Sequence, residues 1–316
     1  VTGFVVRRVA QGLFVLWAAF TASFVLLYVL PTDPIVTMLG ADGQGANVDP
    51  AQVAELRHEY GFDQPIWVQY LTRLAAAVRG DFGRSMLTGS PVSSEIAAAV
   101  PSTAVLAACA ITLAVLIAAG VAVAATSTTS GWLRRGLLTL PPLGVAIPTF
   151  WLGLVLLQVV SFQWGLLPAF GDAGWTSLIL PAITLAIPTS AVMAQVFAAS
   201  LDTAWGSPFV QTARAKGARR PRLLTRHVVR NAAGPALTIA GVVVGGVLAG
   251  SVVTENVFSR PGLGRLAERA VTAQDIPLVQ GVVVVAALVY VVVNFGIDLA
   301  GLAIDPRTAP VVRSAS

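Results

Sequence analysis

Six stretches of this chain stay apolar for about the 20 residues that a helix needs to cross a bilayer core. They are residues 9–30, 102–126, 137–162, 177–201, 234–256 and 278–302. Ile96 to Leu133 contains no charged residue, and neither does Asn231 to Thr254. The first run continues into Leu30 without a small-residue cleavage site, so it is expected to be retained as a span. The pattern predicts an all-α integral membrane protein with six transmembrane helices and a helical region between spans 1 and 2. This gives three parts: 1–30 with the first span, 31–101 outside the membrane, and a five-span core over 102–316 carrying a polar loop at 202–233.

The polar region 31–101 carries helix punctuation. Asp49 suits an N-cap, Pro50 a first turn, Gln52 the reciprocal capping partner and Gly61 a C-terminal stop. A second helix is expected from Pro65 to just before Gly80, with Trp67, Tyr70, Leu71, Leu74 and Val78 at helical spacing. Such a unit is either a small cap resting on the membrane or spans, or an interfacial helix that only anchors the chain. Pro141, Pro142, Pro148, Pro181 and Pro188 interrupt the third and fourth runs, either kinking them for packing or lining a path. Gly241-xxx-Gly245 and Gly246-xxx-Gly250 place small residues at helical spacing in the fifth, where a neighbouring helix can approach closely.

Composition supports the bilayer reading: 56% of residues are hydrophobic and 11% charged, against about 45–50% and 25% in soluble domains. The basic residues comprise 19 Arg and one Lys, the imbalance expected of a GC-rich bacterial genome, and Val1 is what literal translation of a GTG start codon yields. Six spans put both termini on one side with loops 127–136 and 202–233; that side holds 13 basic and 2 acidic residues, the other 7 and 11. The positive-inside rule therefore predicts cytoplasmic termini in a bacterial inner membrane. Cys109 alone excludes an intramolecular disulfide.

Catalytic constellations are missing. The single lysine, Lys216, sits between Ala215 and Gly217, so no phosphate-binding P-loop exists. His58 and His227 lie outside the spans, where no intramembrane serine protease or metal site could use them, and an aspartyl protease would need a second acid beside Asp298. Glu255 and Asp298 sit near span ends, each as a structural partner or a substrate contact.

Loop 202–233 is the most informative polar segment. Ser207 suits an N-cap, Pro208 a first turn and Gly217 a stop, and a second helix is expected from Pro221. Arg222, Arg226 and Arg230 recur at four-residue spacing beside Leu223, Leu224 and Val228. Two short helices around a glycine turn form either a protruding docking knob or a basic helix held by anionic lipid headgroups.

Gln211-Thr212-Ala213-Arg214-Ala215-Lys216-Gly217, followed by Arg230-Asn231-Ala232-Ala233-Gly234-Pro235, resembles the signature loop of binding-protein-dependent ABC importer permeases. Thr-Ala-Arg-Ala-Lys-Gly is closest to the dipeptide, oligopeptide and nickel branch. Phe4 to Arg8, Pro31-Thr32-Asp33-Pro34, Tyr60 to Pro65, Gly80 to Ser85, Leu167 to Gly171, Thr254 to Gly264 and Asp305-Pro306-Arg307 resemble further motifs of that branch in the same order. Length and the long outer region are similar to its first, B-type, subunit. Thr32 departs from the branch's glycine, and Gln211-Thr212-Ala213 replaces the wider family's Glu-Ala-Ala.

The resemblance implies a type I importer permease fold that carries di- or oligopeptides. Gln211, Thr212, Ala213, Arg214, Ala215, Lys216 and Gly217 would couple to an ATPase, with Glu255 and Phe258 on the pathway or its gate. Expected partners are a second homologous permease, two cytoplasmic P-loop ATPases, an extracytoplasmic substrate-binding protein and membrane lipid. No nucleic acid, no metal and no cofactor is expected in this chain, since ATP and Mg belong to the ATPases. The competing class, a secondary transporter or channel, would need an ionisable relay at mid-bilayer.

Overall fold

The computed structural model describes residues 2–28, 50–172 and 174–304. Among them there is no strand, only one isolated bridge between Arg84 and Pro91. The helices are α1 (Thr2–Tyr28), α2 (Pro50–Glu59), α3 (Ile66–Val78), α4 (Val92–Ser127), α5 (Gly131–Ala146) and α6 (Thr149–Leu156, continuing as a π turn over Leu157–Gln163). After them come α7 (Thr176–Trp205), α8 (Pro208–Ala215), α9 (Arg220–Leu223), a π segment at Leu224–Val228, α10 (Val229–Val257), α11 (Leu263–Thr272) and α12 (Ile276–Ile304).

All six predicted runs are mainly helical over their described residues. Among the described residues α1, α4, α7 and α12 are each long and apolar enough to cross a membrane, the bent pair α5 and α6 has the length and composition of a fifth span or of a re-entrant loop, and the apolar part of α10, Gly241–Val257, is shorter than a full span. The third run is not one straight helix: α5 and α6 meet at 99°. Pro148 is the cause, because its ring pushes the preceding residue out of helical geometry. Ile147 accordingly sits at φ −80°, ψ 120°. Pro141 and Pro142 lie within α5, and Pro181 and Pro188 within the unbroken α7.

The chain divides into two compact units. The first comprises Val1–Val6, Thr103–Arg260 and Val292–Ser316. Its core is α7, which buries Leu178, Ala182, Leu185, Ala186, Met193 and Ala194 against α4 and α10. Gly241 faces Asn294 and Gly250 faces Leu185, with room for no full side chain at either, whereas Gly246 faces open space. Gly241 and Gly250 thus provide the expected close approach, and Gly246 does not.

The second unit comprises Arg7–Ser102 and Pro261–Val291. α2 ends at Gly61 (φ 68°), where Phe62 N–H bonds Arg57 O at 2.8 Å and Gly61 N–H bonds His58 O at 3.1 Å. α3 ends the same way at Gly80, with Asp81 bonded to Ala76 and Gly80 to Ala77. Both are Schellman closures, in which a left-handed residue lets the last carbonyls find donors. The expected capping pair falls outside the described residues, which include neither Asp49 nor the side chain of Gln52. The same holds for Pro31-Thr32-Asp33-Pro34 and Asp305-Pro306-Arg307.

The predicted apolar stripe of α3 splits. Tyr70 packs against Phe20 and Phe24 of α1. Trp67, Leu71 and Val78 are exposed instead, and the buried position is Gln69. A helix showing an apolar stripe outward suits a lipid interface.

Candidate functional site

The loop after α7 is built by local chemistry. Ser207 stands before α8 in extended geometry (φ −72°, ψ 146°), and Pro208 occupies the first turn, where a missing N–H costs nothing. The hydroxyl of Ser207 does not cap, however. It donates to Thr203 O at 3.1 Å, back into α7. At the other end Gly217 adopts φ 81°, Ala218 N–H bonds Ala213 O at 3.1 Å, and Gly217 N–H bonds Arg214 O at 2.9 Å. This third Schellman closure turns the chain sharply between α8 and α9.

Beyond this turn the expected second helix is not a separate one. α9 opens at Arg220, one residue before the expected Pro221, and runs through the π segment straight into α10. The π segment has a consequence for packing. Residues five apart share a face in a π turn rather than diverging as in an α-helix, so Leu223 and Val228 are both fully buried. They join Leu201, Ala204, Val210 and Ala232 in one cluster. Arg222, Arg226 and Arg230 remain exposed on the other side.

Arg220 ties the loop down, its guanidinium 5.5 Å from the Trp205 ring and 3.4 Å from Thr126 O at the end of α4. Arg134 and Asp202 bridge at 2.8 Å. α8 is thus held by one face, through fully buried Val210 and half-buried Ala213. Gln211, Thr212, Arg214, Ala215, Lys216 and Gly217 are exposed, with Phe209 beside them at 39% exposure. Six of the seven signature residues therefore share an outward surface, and Ala213 belongs to the chain's own core.

Glu255 and Phe258 sit in the first unit as well, at the far end of α10. Both are buried, and Thr103 Oγ1 donates to Glu255 Oε1 at 2.6 Å. Phe258 packs on Leu157 and Leu180, close to Gly153, where an added Cβ would lie 3.4 Å from its ring. α10 ends in another Schellman closure, with Ser259 in the left-handed region (φ 52°) and Arg260 N–H on Glu255 O at 2.8 Å. Arg260 Nη1 then reaches Ser177 O at 3.3 Å. That carbonyl lacks its ordinary helical donor, because the residue four ahead is Pro181. The guanidinium supplies what the proline removed. Asp298 is half-buried on α12.

A second carboxyl node was not anticipated. Asp275 is fully buried; its Oδ1 accepts Leu278 N–H at 3.2 Å, capping α12, while Oδ2 accepts Ser85 Oγ at 2.5 Å and Leu87 N–H at 3.2 Å. The signal was available, since Asp275 stands directly before Ile276-Pro277 at a helix start.

Residues 110–310 match the family described as binding-protein-dependent transport system inner membrane component, and residues 1–107 match its N-terminal domain. The chain belongs to this permease family. Among curated relatives, the glutathione transport system permease protein GsiC of Escherichia coli K12 is 34% identical over 304 residues, covering 96% of this chain and 97% of that protein. GsiC of Salmonella choleraesuis is 35% identical over 283 residues, covering 90% and 91%. A solved structure, an amino acid ABC transporter with histidines, shares the fold with TM-score 0.50 and 18% identity over 68% of this chain and 94% of its own. This permease is an ABC importer subunit of the dipeptide/oligopeptide branch, a multi-pass inner membrane protein that works with other membrane and ATPase subunits. It is a transport component rather than a catalyst.

Proposed function

We propose that this permease forms half of a translocation path for di- and oligopeptides, and that α8 is the element through which ATPase motion reaches the membrane helices. The outward surface from Gln211 to Gly217, held on a helix packed back into the chain's own core, carries the reading. A helix that is fixed on one face and bare on the other can pass a push from outside to α7 and α10. Loop 202–233 and both termini would then be cytoplasmic, as the charge asymmetry requires, with region 31–101 on the opposite side and 102–316 as the core.

The working unit would pair this B-type subunit with a second homologous permease, two P-loop ATPases that bind ATP and Mg, and an external substrate-binding protein. Glutathione, named in the relatives, is itself a small peptide, which supports peptides as the cargo class. Glu255 and Phe258, buried between α10 and its neighbours, would act in gating rather than line an open path. Co-expression with the candidate partner subunits and reconstitution into liposomes tests the whole reading. Uptake of labelled di- and tripeptides should require ATP and the binding protein. ATP-independent uptake driven by an ion gradient would overturn it in favour of a secondary transporter.

A further inference from the structure

α4 and the continuous helix from Arg220 to Val257 run side by side in opposite directions, tied near both ends. Arg220 Nη2 donates to Thr126 O at 3.4 Å, and Thr103 Oγ1 donates to Glu255 Oε1 at 2.6 Å. Arg222, Arg226 and Arg230 come after the first tie, so they flank the last turns of α4. α8 comes before it. The packing beneath the three agrees, since Leu223, Val228 and Ala232 share a cluster with Ala122 of α4 and Ala198 of α7. Both alanines lie inside charge-free apolar runs. The three arginines therefore stand beside the ends of membrane spans rather than clear of them.

All three are exposed, and none has an ion-pair partner among the described residues. Neighbouring cations are engaged instead: Arg220 lies over the Trp205 ring, and Arg134 holds Asp202 at 2.8 Å. A cation at this depth is costly in hydrocarbon, so a long basic side chain extends to the headgroup level and meets a phosphate there. A guanidinium matches two phosphate oxygens with parallel N–H donors. We infer that Arg222, Arg226 and Arg230 form a binding surface for anionic phospholipid headgroups, which holds the start of this helix at the membrane face. The row need not converge on one ligand, because each arginine can take its own headgroup. α8 and the arginine row thus serve different partners, one beyond the spans and one at their ends. Only the assignment to the cytoplasmic leaflet rests on the topology proposed above.

The full chain in neutral detergent, titrated with phosphatidylglycerol or phosphatidylcholine and read by native mass spectrometry, provides the test. Each cation near an anionic surface strengthens attachment about fivefold, so phosphatidylglycerol should be held at least tenfold more tightly than phosphatidylcholine. Combining Arg222→Gln, Arg226→Gln and Arg230→Gln should remove most of that preference, and the corresponding lysine substitutions should keep most of it. Arg214→Gln, Lys216→Gln and Arg219→Gln together remove the same charge before the tie and should leave the preference largely intact. Equal retention of the two lipids, or equal loss in the two glutamine triples, would overturn the assignment. So would an unchanged lipid preference in the row variant that has lost co-purification with a second permease or an ATPase, since the row would then face protein. Sidedness plays no part in detergent, so the proposed topology can fail without this surface failing.

Discussion

Replacing Gly217 isolates the turn that closes α8. An added Cβ at this position meets nothing within 4 Å, so no steric clash with a neighbour is involved. The whole effect comes from the backbone, since φ is 81°. A left-handed residue carrying a Cβ costs about 1–2 kcal/mol relative to glycine, and a β-branched one fits worst. That corresponds to a roughly 5- to 30-fold drop in the ratio of closed to opened turn. Opening would release the Ala218–Ala213 and Gly217–Arg214 bonds and let the exposed face of α8 rotate away from its partner. Gly217→Val should therefore reach the membrane and pair with the second permease, yet lose most ATPase co-purification and substrate-stimulated ATP hydrolysis. Gly217→Asn should retain much more, because Asn tolerates the left-handed region. Hydrolysis at wild-type level in Gly217→Val would refute the reasoning. Equal loss in Val and Asn variants would also refute it, since the effect would then not track backbone preference.

Four further outcomes are expected. Ala215→Trp, on the exposed face, should block ATPase association without affecting the melting temperature, whereas Ala213→Trp should lower that temperature by overfilling the internal cluster, at a cost of about 1–3 kcal/mol; calorimetry beside pull-down separates them. A cysteine at Thr212 should resist a membrane-impermeant thiol reagent in intact cells while one at Ala75 reacts, and the reverse pattern would sink the proposed topology. Thr103→Val removes one hydrogen bond to buried Glu255 and should destabilise the protein by about 1 kcal/mol or more, read as a lower melting temperature in detergent. His58 Nδ1 and Asp63 Oδ2 lie 2.8 Å apart, and their hydrogen bond raises the histidine pKa and lowers that of the carboxyl. The contact between α2 and the following turn should hold from the ordinary carboxylate range up to the ordinary histidine range, fading as pH rises through the raised histidine pKa or falls through the lowered carboxyl pKa; an NMR titration of His58 that shifts downward on Asp63→Asn checks it.

How much was legible in the sequence differs with the reach of the interaction. The apolar runs, the charge asymmetry and the stops at Gly61, Gly80 and Gly217 were readable because bilayer transfer and helix termination depend on a few residues near one another in the chain. The placement of Gln211 to Ala215 on α8 was readable for the same reason. The stops at Ser259 and Gln274 were not, since a non-glycine residue gives no warning that neighbours hold it at positive φ. Nor did periodicity reveal that α3 turns Trp67, Leu71 and Val78 outward and buries Gln69, because spacing marks a face without saying what covers it. The donor that Arg260 lends to Ser177 and the meeting of Asp275 with Ser85 join residues 83 and 190 positions apart. Only the folded chain brings such groups together. The sequence alone determined what must lie in lipid and where helices end; tertiary packing decided which side of each helix faces inward and which buried polar groups find partners.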